Sequence, residues 1–179
     1  MLIESITNTP IDVEARGWKG RTALHHAARY GHVSVAKILV EKSDVEACDT
    51  TWPSYTALHL AAKYGHIEVT RLLVNLEGVD VNARDQLYDF TSLHFAAQNG
   101  RLEVVRLLMD LEKVDVKVRN HSGSTALHLA AERGSLEVVK LLMSSEKVDV
   151  NAKDIIGWTT MHCAAPERRV GNSEAVDVL

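Results

Sequence analysis

The chain lacks most of what would tie it to a membrane, to nucleic acid or to bond-making chemistry. No apolar run approaches the roughly 20 residues that span a bilayer. The first residues, MLIESITNTP, show no basic stretch followed by a long apolar one, so no secretory signal is visible. Positive charge is not in excess. Lys and Arg number 20 against 24 Asp and Glu, and the net charge of −4 argues against a nucleic-acid surface, which needs a basic face. Cysteine is scarce, with only Cys48 and Cys163. Two unpaired thiols suit a reducing compartment, and an intracellular, cytoplasmic protein is expected. No phosphate-cradling glycine loop and no G-x-S-x-G is present.

What the sequence does contain is repetition. The stretch Thr56 to Val74, TALHLAAKYGHIEVTRLLV, returns as related copies beginning at Thr22, Thr91 and Thr125, with a degraded copy at Thr159. The five threonines lie 34, 35, 34 and 34 residues apart, a period that marks a stacked repeat array. Each copy predicts two helices. Thr56 is a good N-cap, and Ala57, Leu58, Leu60, Ala61 and Ala62 form a short apolar helix ended by Gly65. Ile67, Val69, Leu72, Leu73 and Leu76 mark a second helix with a wide apolar face. Two helices this short cannot bury that face alone, but stacked copies can. Cys48 and Cys163 then lie about three copies apart, too far along the stack to pair.

These residues resemble the ankyrin repeat. The T-x-L-H tetrapeptide, the following A-A, the G-H turn, the second apolar helix and the D-V-N-A hairpin (Asp80–Ala83, Asp149–Ala152) carry the resemblance. The proline usual in T-P-L-H is replaced by Ala23, Ala57, Ser92, Ala126 and Thr160, which predicts a small loss of stability and no change of fold. The resemblance implies an all-α solenoid of stacked helix–turn–helix pairs with β-hairpin loops. It also implies that hairpin tips and first-helix surfaces line a concave groove for protein partners. Hairpin asparagines in V-N-A are substrates of an asparaginyl hydroxylase in animal members; Asn82 and Asn151 match, while Glu14, Glu46 and Lys117 take that place elsewhere.

In order along the chain, a single array is expected over residues 1–179. It divides into a partial copy at 1–17, full copies at 18–52, 53–87, 88–121 and 122–155, and an irregular partial copy at 156–179. Met1 to Ile6 reads as the end of a second helix, and the chain also stops inside a copy. A segment of a longer array is one reading, and ends covered by a partner is the other. The first full copy has a shortened second helix. Its connection to Thr56 is longer and holds Trp52 and Tyr55. The hairpin before Thr91 has one extra residue, Gln86 to Phe90. Glycine stands two before the threonine at Gly20, Gly123 and Gly157, where Ser54 and Asp89 replace it. Aspartate tolerates left-handed geometry far better than serine, so the loop at Ser54 is expected to change shape. Pro166 should stop the last first-helix, leaving a polar loop to Ser173 and the least stable end.

Nine histidines invite a metal reading. Five of them, His25, His59, His94, His128 and His162, hold the same place in T-x-L-H. Stacked helices about 8–10 Å apart cannot bring several of their nitrogens to the ~2 Å that zinc requires. Each imidazole is instead expected to bridge the threonine hydroxyl and the backbone of a neighbouring copy. His32 and His66 read as structural, and His26 and His121 as surface variation. The hairpin aspartates repeat with the period, so turn formation accounts for them. No cofactor, no metal and no catalysis is expected.

The informative positions are those where copies differ while the framework holds. One row precedes each threonine: Arg21, Tyr55, Phe90, Ser124 and Trp158. The other follows A-A: Arg29-Tyr30, Lys63-Tyr64, Gln98-Asn99 and Glu132-Arg133. Aromatic and arginine side chains concentrate at the energetic centres of interfaces. The candidate protein-binding residues are Arg21, Arg29, Tyr30, Trp52, Tyr55, Lys63, Tyr64, Tyr88, Phe90, Asn99, Arg133 and Trp158. The competing reading packs these aromatics against the neighbouring hairpin. Arg21, Arg29 and Lys63 suggest a protein partner with an acidic segment. No nucleic acid and no membrane insertion is expected, and the chain is taken as a monomer or part of a longer chain. The alternative function is a structural spacer within a longer ankyrin-repeat protein.

Overall fold

Each T-x-x-H opening starts a helix, and the reason is chemical. Thr22, Thr56, Thr91 and Thr125 sit in extended backbone, and the histidine three residues on closes a capping box. Glutamate or glutamine usually fills that third position. Here the imidazole Nδ1 accepts the threonine N–H, at 3.2 Å in the Thr22–His25 pair and 3.1 Å in the Thr56–His59 pair. The computed structural model describes residues 12–50 and 54–164. The expectations for Met1–Ile6, for Trp52 and for the loop after Pro166 lie outside the described residues.

The helices are α1 (Ala23–Tyr30), α2 (Val33–Leu39), α3 (Ala57–Tyr64), α4 (Ile67–Val74), α5 (Ser92–Gln98), α6 (Leu102–Asp110), α7 (Ala126–Glu132), α8 (Leu136–Met143) and α9 (Thr160–Ala164). The inner helices α1, α3, α5, α7 and α9 stack in one row, each against the next. The outer helices α2, α4, α6 and α8 form a second row, each packed on the inner helix of its own copy. This is the all-α solenoid expected from the period. Leu76, assigned to the second helix by its spacing, falls just past α4, where its N–H bonds the Leu73 carbonyl. At seven residues α2 is the shortest outer helix, consistent with the shortened first copy.

The core runs the length of the stack. Ala28, Ala61, Ala62, Ala96, Ala97 and Ala130 are fully buried between inner helices, where the lack of a long side chain allows close approach. Leu24, Leu58, Leu93 and Leu127 lie beside them, and Val69, Leu73, Val104, Leu108, Val138 and Leu142 face them from the outer row. Gly31 and Gly65 end α1 and α3 in left-handed backbone, at φ 71° and 84°. At Gly31 a Cβ would also strike the His66 ring, whose Nε2 hydrogen-bonds the Arg29 carbonyl at 2.9 Å. His66 is thus structural, as expected. His32 is exposed, with its ring beside Tyr30.

The loops turn back as hairpins without becoming strands: no strand occurs among the described residues. Adjacent tips share single backbone bonds, Thr50 to Lys19, His121 to Tyr88 and Ile155 to Ser122. One such bond per junction is too few for a ladder. Asp89 adopts φ 56°, as its chemistry allows. Ser54 does not enter the left-handed region; its hydroxyl donates to the Asp49 carbonyl at 2.6 Å, and the loop takes the changed shape expected. A second set of bonds links the loop starts. Glu14 Oε1 accepts Asp44 N–H at 2.8 Å, Glu46 Oε1 accepts Asp80 N–H at 3.3 Å, and Asn82 Oδ1 accepts Asp115 N–H at 2.9 Å. Lys117, next in that row, has no acceptor to offer.

The histidines tie copies together as anticipated. A ring that accepts a backbone N–H on Nδ1 must carry its proton on Nε2. From Nε2 His25 donates to the Tyr55 carbonyl at 3.0 Å, His59 to Ala83 at 2.9 Å and His128 to Trp158 at 3.2 Å. His59 reaches Ala83 across the hairpin that holds the extra residue. His94 Nε2 makes no hydrogen bond. Burial holds His25 and His59 below the usual imidazole range and pushes His94 down to about 4. The folded protein therefore excludes a proton that the unfolded chain takes up below pH 6.5. His94 contributes stability that is fully present above that pH and is lost as pH falls toward about 4, to the extent of about 3 kcal/mol. Thermal melts between pH 7 and pH 4.5 should show a falling Tm, and His94→Gln should flatten the slope. Equal slopes would assign the acid sensitivity to other groups.

Candidate functional site

The row before the threonines serves the frame more than the surface. Arg21 is only 4% exposed, and its Nε donates at 2.9 Å to Asp49 Oδ2 in the loop that leads to the next copy. Asp49 in turn caps its own loop, with Oδ1 accepting the Tyr55 N–H at 3.0 Å. Asp85, Asn120 and Asp154 do the same in later loops, accepting from Phe90, Ser124 and Trp158. Phe90 is 6% exposed and joins Phe95 and Leu129 in a second small core, with Tyr55 packed against it. Tyr55 lies edge-on to Phe95 at 5.3 Å between centroids, and Phe90 lies 5.2 Å from the same ring. Arg21 and Phe90 therefore leave the surface on which the sequence placed them. The cause is direction: the side chain before each threonine meets the neighbouring copy before it meets solvent.

The pair after A-A is displayed differently. Tyr30 is 57% exposed, and Arg29 and Tyr64 are half-buried beside it. The Arg29 guanidinium lies 5.0 Å from the Tyr64 ring centre and 5.6 Å from that of Tyr30. Lys63 Nζ lies 4.7 Å from the Tyr55 ring centre, 5.3 Å from that of Phe95, and donates to the Tyr55 hydroxyl at 3.1 Å. Cations over ring faces gain from the aromatic quadrupole. Burial pushes the Tyr55 hydroxyl up to about 12, helped by the nearby charge of Asp85, so it stays protonated. The ion pairs among the described residues are Arg21–Asp49, Glu103–Arg106 and Glu137–Lys140, and His121 Nδ1 lies 4.0 Å from Asp89 Oδ2. Neither Arg29 nor Lys63 belongs to one.

Further along, the row changes character. The Asn99 amide turns back to donate to the Phe95 carbonyl at 2.8 Å, while Arg133 is exposed. Tyr88 stands half-exposed on the lengthened hairpin, and Trp158 is half-buried with its ring 6.1 Å from His162. Among the described residues, no group of three or more His, Cys, Asp or Glu side chains could hold a metal, and no helix is long and apolar enough to cross a membrane.

A family model described as ankyrin repeats in three copies matches residues 2–85 and again 93–179. The chain belongs to the ankyrin repeat family. No curated protein matches it. Ankyrin repeats are generally protein–protein interaction modules and are typically non-catalytic. The capping boxes close in this ankyrin array although alanine or serine stands in the proline position.

Two contributors escaped the sequence reading. Phe95 replaces the leucine found at Leu60 and Leu129, and its ring supports both Tyr55 and Lys63. An aromatic at an otherwise aliphatic position was the available signal. Asp85 is 1% exposed, with Oδ1 on two loop N–H groups and Oδ2 without a hydrogen bond. Of the hairpin asparagines, Asn82 also donates through Nδ2 to the Lys113 carbonyl at 2.8 Å, whereas Asn151 is exposed.

Frame and surface should separate on mutation. Arg21→Met breaks a buried ion pair and should lower unfolding stability by about 3 kcal/mol, while Tyr30→Ala should change it by less than about 0.5 kcal/mol. Chemical denaturation of both variants checks this, and a neutral Arg21→Met would return Arg21 to the candidate surface.

Proposed function

We propose that this ankyrin array is a non-catalytic binding module that holds a partner protein on its concave face, formed by hairpin tips and inner-helix surfaces. The observation that carries the reading is that large aromatics stand open on that side without being needed by the core: Tyr30 is 57% and Tyr88 50% exposed. Tyr64, Trp158 and Arg133 extend the surface, with Asn99 as a further member. Arg29, Lys63 and Tyr55 supply polar contacts toward its N-terminal part. The partner meets helices already stacked, so little ordering entropy is lost on this side of the complex. A cytoplasmic setting goes with this reading.

The test is a pull-down with wild type beside a Tyr30/Tyr64/Tyr88/Trp158 alanine variant, with circular dichroism showing both folded. A partner retained by wild type and lost by the folded variant is the expected result. Identical captures by the two proteins would overturn the groove and favour a spacer whose ends, not its face, carry the function.

A further inference from the structure

The inner-helix surface of the first two full copies holds donors in excess of acceptors. Arg29 has no hydrogen bond from its guanidinium and no ion pair among the described residues; its contacts are the faces of Tyr30 and Tyr64. Lys63 spends one donor on the Tyr55 hydroxyl oxygen and lies over the Tyr55 and Phe95 rings. The Tyr55 hydroxyl, having accepted from Lys63, still has its own proton to give. Neither cation pairs with a carboxylate among the described residues, and the Asp85 and Asp49 charges are felt at the Tyr55 hydroxyl. Elsewhere the exposed cations of α6 and α8, Arg106 and Lys140, pair with glutamates of their own helices.

From this we infer that the site recognises an acidic, extended segment of the partner protein, with carboxylates about 9 Å apart. The inference rests on the binding role proposed above and adds the chemistry of the ligand. Arg29 and Lys63 are equivalent residues of successive copies, and packed helices lie about 8–10 Å apart. In an extended three-residue-per-turn chain, side chains three apart share a face and are separated by about 9 Å. Carboxylates at every third position therefore meet Arg29 and Lys63 in turn. The guanidinium offers paired N–H donors, and the Tyr55 hydroxyl adds a neutral one beside Lys63. The tyrosine faces hold the two cations in place before the ligand arrives, so little side-chain freedom is lost on binding. The overall charge of −4 disfavours nucleic acid, although cations beside rings also suit a single strand.

The experiment uses the full chain and a fluorescein-labelled peptide of Glu-Pro-Ser repeats, read by fluorescence polarisation. Comparison peptides carry the same glutamates in one contiguous block, or glutamine in their place. The spaced acidic peptide should bind best, and added salt should weaken it. R29Q/K63Q should lose about tenfold in affinity. R106Q/K140Q on the outer helices should bind within about twofold of wild type, and R29K/K63R, which keeps the charges but changes the donor geometry, should fall between wild type and R29Q/K63Q. Thermal melts confirm that all variants are folded. Absence of binding, equal binding by R29Q/K63Q, equal binding of the block or glutamine peptides, or tighter binding of an oligothymidylate would each overturn the inference. If the peptide fails while the aromatic variant still loses its captured partner, the binding role stands and only the acidic segment is withdrawn. Loss of both removes both.

Discussion

A helix pair of about eight residues per helix cannot close over its own apolar face, so every copy in this chain depends on the copies beside it. The alanines on the inner helices make that dependence workable, because they let neighbouring backbones approach until the leucines and valines between them are dry. Burial of this kind has no direction of its own. The alignment comes from polar bonds, above all from the histidine that caps its own helix with one nitrogen and grips the next copy with the other. The neutral ring is needed for both bonds at once. Burial of the rings between copies excludes the proton, most strongly at His94.

Around this common device each junction is finished differently. A buried arginine meets a buried aspartate between the first two full copies. At the next, Tyr55 stands in that row and the following loop is capped by Asp85. At the third, Phe90 stands in that row and the loop beyond is capped by a neutral Asn120. Residues that look like free variation in an alignment of the copies are partly adjustments of one loop to its neighbour. The exposed positions among them are fewer than the variable rows suggest. They centre on the pair after A-A and on the tip of the lengthened hairpin.

How much of this was legible follows from where the information lies. The period, the N-caps, the helix ends at Gly31 and Gly65, the left-handed Asp89 and the altered loop at Ser54 all depend on residues within a few positions of one another. They could be read directly. Repetition extended the reading further, because a histidine found in every copy at one place had to serve a purpose shared by every copy. The candidate surface was legible only as two rows of variable residues.

The amino-acid order alone determined the family, the two-helix unit and the helix-capping role of the T-x-L-H histidines, since each is a local pattern or its recurrence. Tertiary structure decided which variable side chains are covered. Arg21 and Tyr30 are nine positions apart and equally suited to an interface, yet one is 4% and the other 57% exposed. The difference is made by Asp49, 28 residues on in the loop that leads to the next copy, which no local pattern connects to Arg21. Burial is settled by neighbours distant along the chain, by their loop lengths and by the groups those loops present. Only the stacked chain brings these together.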